Sequence, residues 1–249
     1  MLASNRHIFV HLPKTGGTTT TRILARHDGG TVHLRGRGGH DPGWMVRPDE
    51  LAGRTLIGNV RDPWSWYCSW YQHSRIAGDA AVNDLRTWGG GSIEWRDVLR
   101  GVTRGARSPH GIGVILRIPQ PHRSDARAAL ARHHWGLASW LATWCYGASD
   151  SWRRGPVLAR WGVPEFVHTS RLAEGLSALL GVPLDELSAF ERANTRWHRA
   201  DQQYGPADYR DWYDDEMMAW VQAADGWYAE ALSLRPFGVD EPALSRAAA

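Results

Sequence analysis

The residues with the clearest chemical meaning lie together in His11-Leu12-Pro13-Lys14-Thr15-Gly16-Gly17-Thr18-Thr19. Gly16 and Gly17 allow a tight turn and a close approach of backbone to ligand. Thr18 opens a segment with helical patterning, and the first amides of a helix have no partners of their own. The helix dipole adds about half a positive charge at that end, which makes it an anion site. Thr18 and Thr19 add hydroxyl donors, and Lys14 adds a full charge at the rim. Lys14 is also the only lysine among the 29 Lys+Arg residues, and a compact ammonium is not interchangeable with a planar guanidinium. Lys14, Thr15, Gly16, Gly17, Thr18 and Thr19 are therefore the candidate cradle for a phosphate or sulfate group. The loop is not that of a nucleoside-triphosphate enzyme, G-x-x-x-x-G-K-[ST], because here the lysine precedes the glycines. A G-x-G-x-x-G dinucleotide motif is absent too.

A second constellation is Val60-Arg61-Asp62-Pro63, with Ser69 eight residues after Arg61. Arginine offers a fixed fork of donors that matches phosphate oxygens. In this order the two motifs resemble the donor site of sulfotransferases that use 3′-phosphoadenosine-5′-phosphosulfate (PAPS). The likeness is to the carbohydrate-type branch that includes heparan sulfate 2-O-sulfotransferase and bacterial relatives. The resemblance implies that P-K-T-G-G-T-T receives the 5′-phosphosulfate and that Arg61 and Ser69 hold the 3′-phosphate. A softer likeness runs from Ala193-Asn194-Thr195-Arg196 through Tyr209 to Glu216 and on to Phe237-Gly238. It implies that Arg196 touches the nucleotide. Two departures stand out. Trp66 occupies a place where many relatives carry arginine, and His168-Thr169-Ser170-Arg171 lacks the usual Arg-x-Glu signature.

Sulfuryl transfer by in-line attack needs a base for the acceptor proton and positive charge on the leaving oxygen. Lys14 fits the second role. For the first, His40 is the candidate: it lies between the two donor motifs, where related enzymes often place a histidine, and neutral imidazole accepts a proton near pH 7. His11 borders the loop but reads as a packing residue, and His133 and His134 fall in a helical stretch. No metal is implied, since the histidines lack H-E-x-x-H spacing. The expected donor is PAPS, its product 3′-phosphoadenosine-5′-phosphate (PAP), and the acceptor a hydroxyl or amine of a small molecule, glycan or secondary metabolite. The competing readings are a phosphotransferase with an atypical phosphate loop and a non-catalytic nucleotide-binding module.

The elements that must position these residues follow from pattern. Ile8–Leu12 and Thr55–Val60 read as buried strands, with a third at Phe166–His168. Helices are expected over Thr18–His27, Trp64–Arg75 (with Pro63 in the first turn), Ile93–Arg100, Asp125–Tyr146, Ser170–Leu180 ending at Gly181, Leu184–Arg192 and Asp208–Leu234. Gly29–Gly43 reads as a flexible loop, and 78–122 is poorly patterned. The alternation predicts an α/β fold with a parallel sheet. Together with the resemblance it predicts a P-loop-like three-layer sandwich, a central parallel sheet flanked by helices. One domain is expected over 1–249, with donor elements in 7–75 and 165–238 and an acceptor-site insertion over 78–160.

Composition narrows the alternatives. Hydrophobic residues make up 43% and charged residues 22%, which suits a packed core. A net charge of +3 with no cationic tract argues against a nucleic-acid partner. Cys68 and Cys145, the only cysteines, read as buried free thiols. No apolar run approaches the ~18–20 residues of a membrane span, and no secretory h-region is present, so a cytoplasmic location is expected. Most of the 15 tryptophans, among them Trp64, Trp66 and Trp70 on one helix and Trp135, Trp140 and Trp144 on another, are expected in the core. Some could instead line an acceptor pocket.

Overall fold

The computed structural model describes residues 1–29, 32–33, 43, 46, 48–104, 136–146, 165–188 and 208–238. Strands β1 (Leu2–Ala3), β2 (His7–Val10), β3 (Val32–His33), β4 (Thr55–Val60) and β5 (Glu165–His168) form one sheet in the order β3-β1-β2-β4-β5. β2, β4 and β5 run parallel, with Val10 opposite Gly58 and Val60 opposite His168. Both faces of this centre are covered, which is why β2 is buried at every position and reads as an unbroken apolar run. Ile8, Val10, Leu56 and Val60 face one core. Phe9, Ile57 and Val167 face the other, with Ile23, Leu24, Leu172 and Leu176.

The helices divide accordingly. α1 (Gly17–His27) and α7 (Leu172–Leu180) cover the second face. The first face is covered by α3 (Pro63–Ile76), α4 (Asp79–Trp88), α5 (Trp95–Thr103), α6 (Leu137–Tyr146) and α8 (Asp215–Ala231). The short α2 (Pro48–Leu51) precedes β4. The protein is thus α/β, with helices on both faces of a mixed sheet whose centre is parallel. Among the described residues no helix is long and apolar enough to cross a membrane.

Several expectations shift. The sheet is not wholly parallel: β1 pairs antiparallel with both β2 and β3, and β3 falls inside the stretch expected to be a loop. Two-residue strands are too short to show a period. The reversal into β2 is secured instead by Asp28 at the C-terminus of α1, which accepts bonds from Ser4, from Arg6 N and Nε, and from His7 Nδ1. Burial pushes this carboxyl upward, but the hydrogen bonds from Ser4, Arg6 and His7 outweigh it and hold the group well below the usual carboxylate range.

α4 lies in the poorly patterned region because Leu85 is its only fully buried residue. The expected last helix is broken at Tyr213-Asp214. Tyr209–Trp212 is a 3₁₀ turn, and Asp214 caps α8 by accepting from Met217 N at 2.8 Å. Of the expected Asp125–Tyr146 helix, the part before residue 136 lies outside the described residues. Pro63 does open α3, and Gly181 terminates α7. Trp64 and Trp66 are in the core, and both cysteines are buried and free.

One buried network ties the first-face helices together. Asp225 of α8, fully buried, accepts from Tyr67 Oη of α3 at 2.6 Å and from Ser139 N and Oγ at the start of α6. A carboxylate at a helix N-terminus complements its unpaired amides and dipole.

Candidate functional site

The site forms where β2 and β4, adjacent and parallel, release their chains at their carboxyl ends. In open α/β sheets that edge is where ligands bind. The chain leaving β2 turns through Lys14 (φ 65°) and Gly16 (φ 79°) into α1. A lysine in the left-handed region costs about 1 kcal/mol or more, which glycine there would avoid. Gly17 is closely placed: a Cβ on it would meet the imidazole of His11, which would have to shift. His11 itself stacks on Phe9 with ring centres 5.7 Å apart, the packing role its place suggests. Gly16, at the N-cap of α1, has no side chain to cap the helix, so among the described residues its first amides are without a side-chain cap.

The loop is held from behind by side chains. Asn59 Nδ2, inside β4, donates to the Thr15 carbonyl at 2.8 Å and to Thr20 Oγ1 at 2.7 Å. Thr15 Oγ1 donates to the Leu12 carbonyl at 2.7 Å. Trp66, a departure from the family pattern, donates its indole N–H to the Pro13 carbonyl at 2.8 Å. Arg61 Nη1 donates to the Lys14 carbonyl at 3.2 Å. The Thr15 hydroxyl is therefore turned inward, and Thr19 is buried, whereas Thr18 is exposed.

Arg61 connects this loop to a cleft of about 580 Å³, a volume suited to a small organic ligand. Its Nε donates to Ser65 Oγ at 2.9 Å, and Ser65 Oγ in turn donates to Asp62. Its guanidinium lies over the Tyr209 ring, 5.4 Å from the centroid. Ser65, Thr169, Ser170, Tyr209 and Arg210 line the same cleft. Asp62 also accepts from Ser65 N at 2.8 Å and from Phe237 N at 3.0 Å. It thereby caps α3 and clamps the 3₁₀ turn Pro236–Gly238 over its start.

Carboxylates share the cleft with Arg61 and Arg210: Asp62 beside Arg61, and Asp208 paired with Arg210. Burial, and then the neighbouring Arg61 charge, bring the Lys14 ammonium down from its ordinary 10.5 to about 8. Among the described residues neither Lys14 nor Arg61 forms an ion pair with a carboxylate. Two cations are thus held near each other, with Asp62 one hydrogen-bonded step from Arg61 through Ser65 Oγ. No group of three or more metal-ligating side chains occurs among the described residues.

Of the anticipated site residues, Lys14, Thr15, Gly16, Gly17, Thr18 and Thr19 share one turn, and Arg61 is hydrogen-bonded to it. Ser69 is buried in the second turn of α3, but the hydroxyl that binds Arg61 belongs to Ser65, one turn earlier. The signal for Ser65 was the Asp62-Pro63-Trp64-Ser65 cap, in which the residue three after an Asp returns to its side chain. Tyr209 and Arg210 carried no such signal. His40 and Arg196 lie outside the described residues. His168, at the end of β5, borders a small recess beside Arg61 and Asp62. Burial, then the Arg171 charge, lower its pKa.

No match exists among protein-family models, curated proteins or solved structures. The functional reading therefore stands on the geometry of this site and the motifs that form it.

Proposed function

We propose that the protein is a PAPS-dependent sulfotransferase on a P-loop-like α/β fold, acting on a hydroxyl or amine of a small-molecule or carbohydrate acceptor. The observation that carries this reading is the adjacent pair of cations, Lys14 and Arg61, neither in a direct ion pair among the described residues, joined through the Lys14 carbonyl at the ends of adjacent parallel strands. The pair divides the site into two anion-receiving parts. One is the turn of Lys14 with the N-terminus of α1; the other is Arg61 with Ser65 at the mouth of the cleft. A donor with separate 3′-phosphate and 5′-phosphosulfate groups matches two such parts. A contiguous triphosphate matches one.

In this scheme the acceptor oxygen attacks sulfur in line, and the bond from sulfur to the bridging oxygen breaks to release PAP. Lys14 supports the charge that develops on the bridging oxygen, where a positioned cation in a partly dry site is most effective. The amides of α1 bind the non-bridging oxygens. Arg61, oriented by Ser65 and Asp62, holds the 3′-phosphate, with Ser69 and Arg196 as further nucleotide contacts. His40 takes the acceptor proton.

The test is transfer itself. Protein incubated with sulfur-labelled PAPS and a panel of hydroxyl and amine acceptors is expected to give labelled product that Lys14→Ala abolishes. Label-free phosphoryl transfer from ATP to the same acceptors would refute the proposal.

A further inference from the structure

The turn that carries Lys14 is pinned along its whole carbonyl edge. Five consecutive carbonyls each accept a hydrogen bond: Leu12 from Thr15 Oγ1, Pro13 from Trp66 Nε1, Lys14 from Arg61 Nη1, Thr15 from Asn59 Nδ2, and Gly16 from Thr20 N at 3.1 Å. A planar trans peptide sets the next residue's N–H opposite to its carbonyl, and no peptide in the described chain is cis. Fixing the carbonyls of residues 13–16 toward β4, α3 and α1 therefore fixes the N–H groups of Lys14, Thr15, Gly16 and Gly17 on the opposite edge. Three of the donors are side chains of fully or almost fully buried residues: Thr15 at 0%, Asn59 at 1% and Trp66 at 1% exposure.

We infer that Trp66, Asn59 and the Thr15 hydroxyl are positioning residues that preset this edge as a rigid nest of amide donors for the 5′ anionic group of the ligand. They act through the backbone and do not touch the ligand. The inference rests on the proposed function for the identity of that group. Without the three bonds the turn would be free to reorient its peptides, and the strained Lys14 conformation would lose its support. Arg61 is distinct, because it also lines the cleft.

The experiment compares ligands that do and do not carry a 5′ group. Trp66→Phe keeps a ring against Trp70, whose stacking distance is 6.1 Å, but removes the N–H. Asn59→Leu keeps volume and removes the donor. Thr15→Val removes the hydroxyl, and Thr15→Ser restores it. Binding of PAP and of adenosine 3′-monophosphate is measured by calorimetry, with urea midpoints as the folding control. Each donor-deleting variant is expected to bind PAP about tenfold more weakly, the worth of one buried hydrogen bond. Adenosine 3′-monophosphate should change by less than about twofold, and Thr15→Ser should recover PAP affinity.

Equal losses for both ligands, or no loss for either, would overturn the inference. Should buried Trp66→Phe not fold, the Thr15 pair gives the same reading. If the wild-type protein does not bind PAP, the donor assignment fails, but inorganic pyrophosphate still reports on the nest. Its weakening by the same variants supports the positioning role. An unchanged affinity, or no pyrophosphate binding at all, refutes it.

Discussion

Lys14→Met separates what the lysine contributes to function from what it costs in stability. In the folded chain, burial and Arg61 hold the ammonium at about 8, against an ordinary 10.5. Between those values the unfolded chain keeps its proton and the folded chain does not, so this group makes stability rise with pH across that window. Below it the folded state bears the full penalty. A drop of this size corresponds to about 3 kcal/mol, which screening at the partly exposed ammonium trims to about 2. Methionine has a similar stem and no charge. Lys14→Met is therefore expected to be about 2 kcal/mol more stable than wild type at pH 7, with the pH-dependent part of that gap closing by about pH 10.5. Urea titrations of both proteins at several pH values measure the gap directly, and titration of cysteines and tyrosines cancels in the difference. The same variant should lose about 10- to 100-fold in PAP affinity, since a charge-assisted contact is removed. A Lys14→Met protein less stable than wild type, with a gap independent of pH, would refute the electrostatic account of the loop.

Other consequences follow from the same contacts. Asp62→Ala removes the cap of α3 and the acceptor for Phe237 N; it should lower stability by about 1–2 kcal/mol and weaken PAP binding, read from thermal melts with and without ligand. Asp225→Ala strands Tyr67 and Ser139 in the core and should cost about 3 kcal/mol or more, while Asp225→Asn, which keeps acceptor and volume, should cost less. Burial pushes both thiols upward, Cys145 to about 12, so a colourimetric thiol reagent should find no fast-reacting cysteine in the native protein and two after denaturation.

The turn around Lys14 and the start of α3 were legible because their signals are local. Gly16 and Gly17 announce the turn, Lys14 stands alone as a lysine, and Pro63 marks the first turn of α3. Each depends on neighbours in sequence. The residues that hold the turn from behind were not legible as such, because their contacts are between elements. Asn59 sits in a buried strand where a polar residue has no sequence-visible partner, and Trp66 reads as one more core aromatic on α3. Its indole N–H reaches a carbonyl 53 positions away. Ser69 was named from the family likeness alone, whereas the hydroxyl that Arg61 binds in the structure is that of Ser65. The strands were partly readable: β2, β4 and β5 contain apolar residues in sequence, but β1 and β3, two residues each, are too short to show a pattern.

Calorimetric titration of the wild-type protein at pH 7 with PAP, and separately with ATP, probes the proposed donor site itself. Two separated anion-receiving parts built on Lys14 and Arg61 predict clear binding of PAP, abolished in the Lys14→Met, Arg61→Ala double variant, with ATP weaker. Tighter binding of ATP than of PAP, or PAP binding that survives loss of both cations, would contradict it.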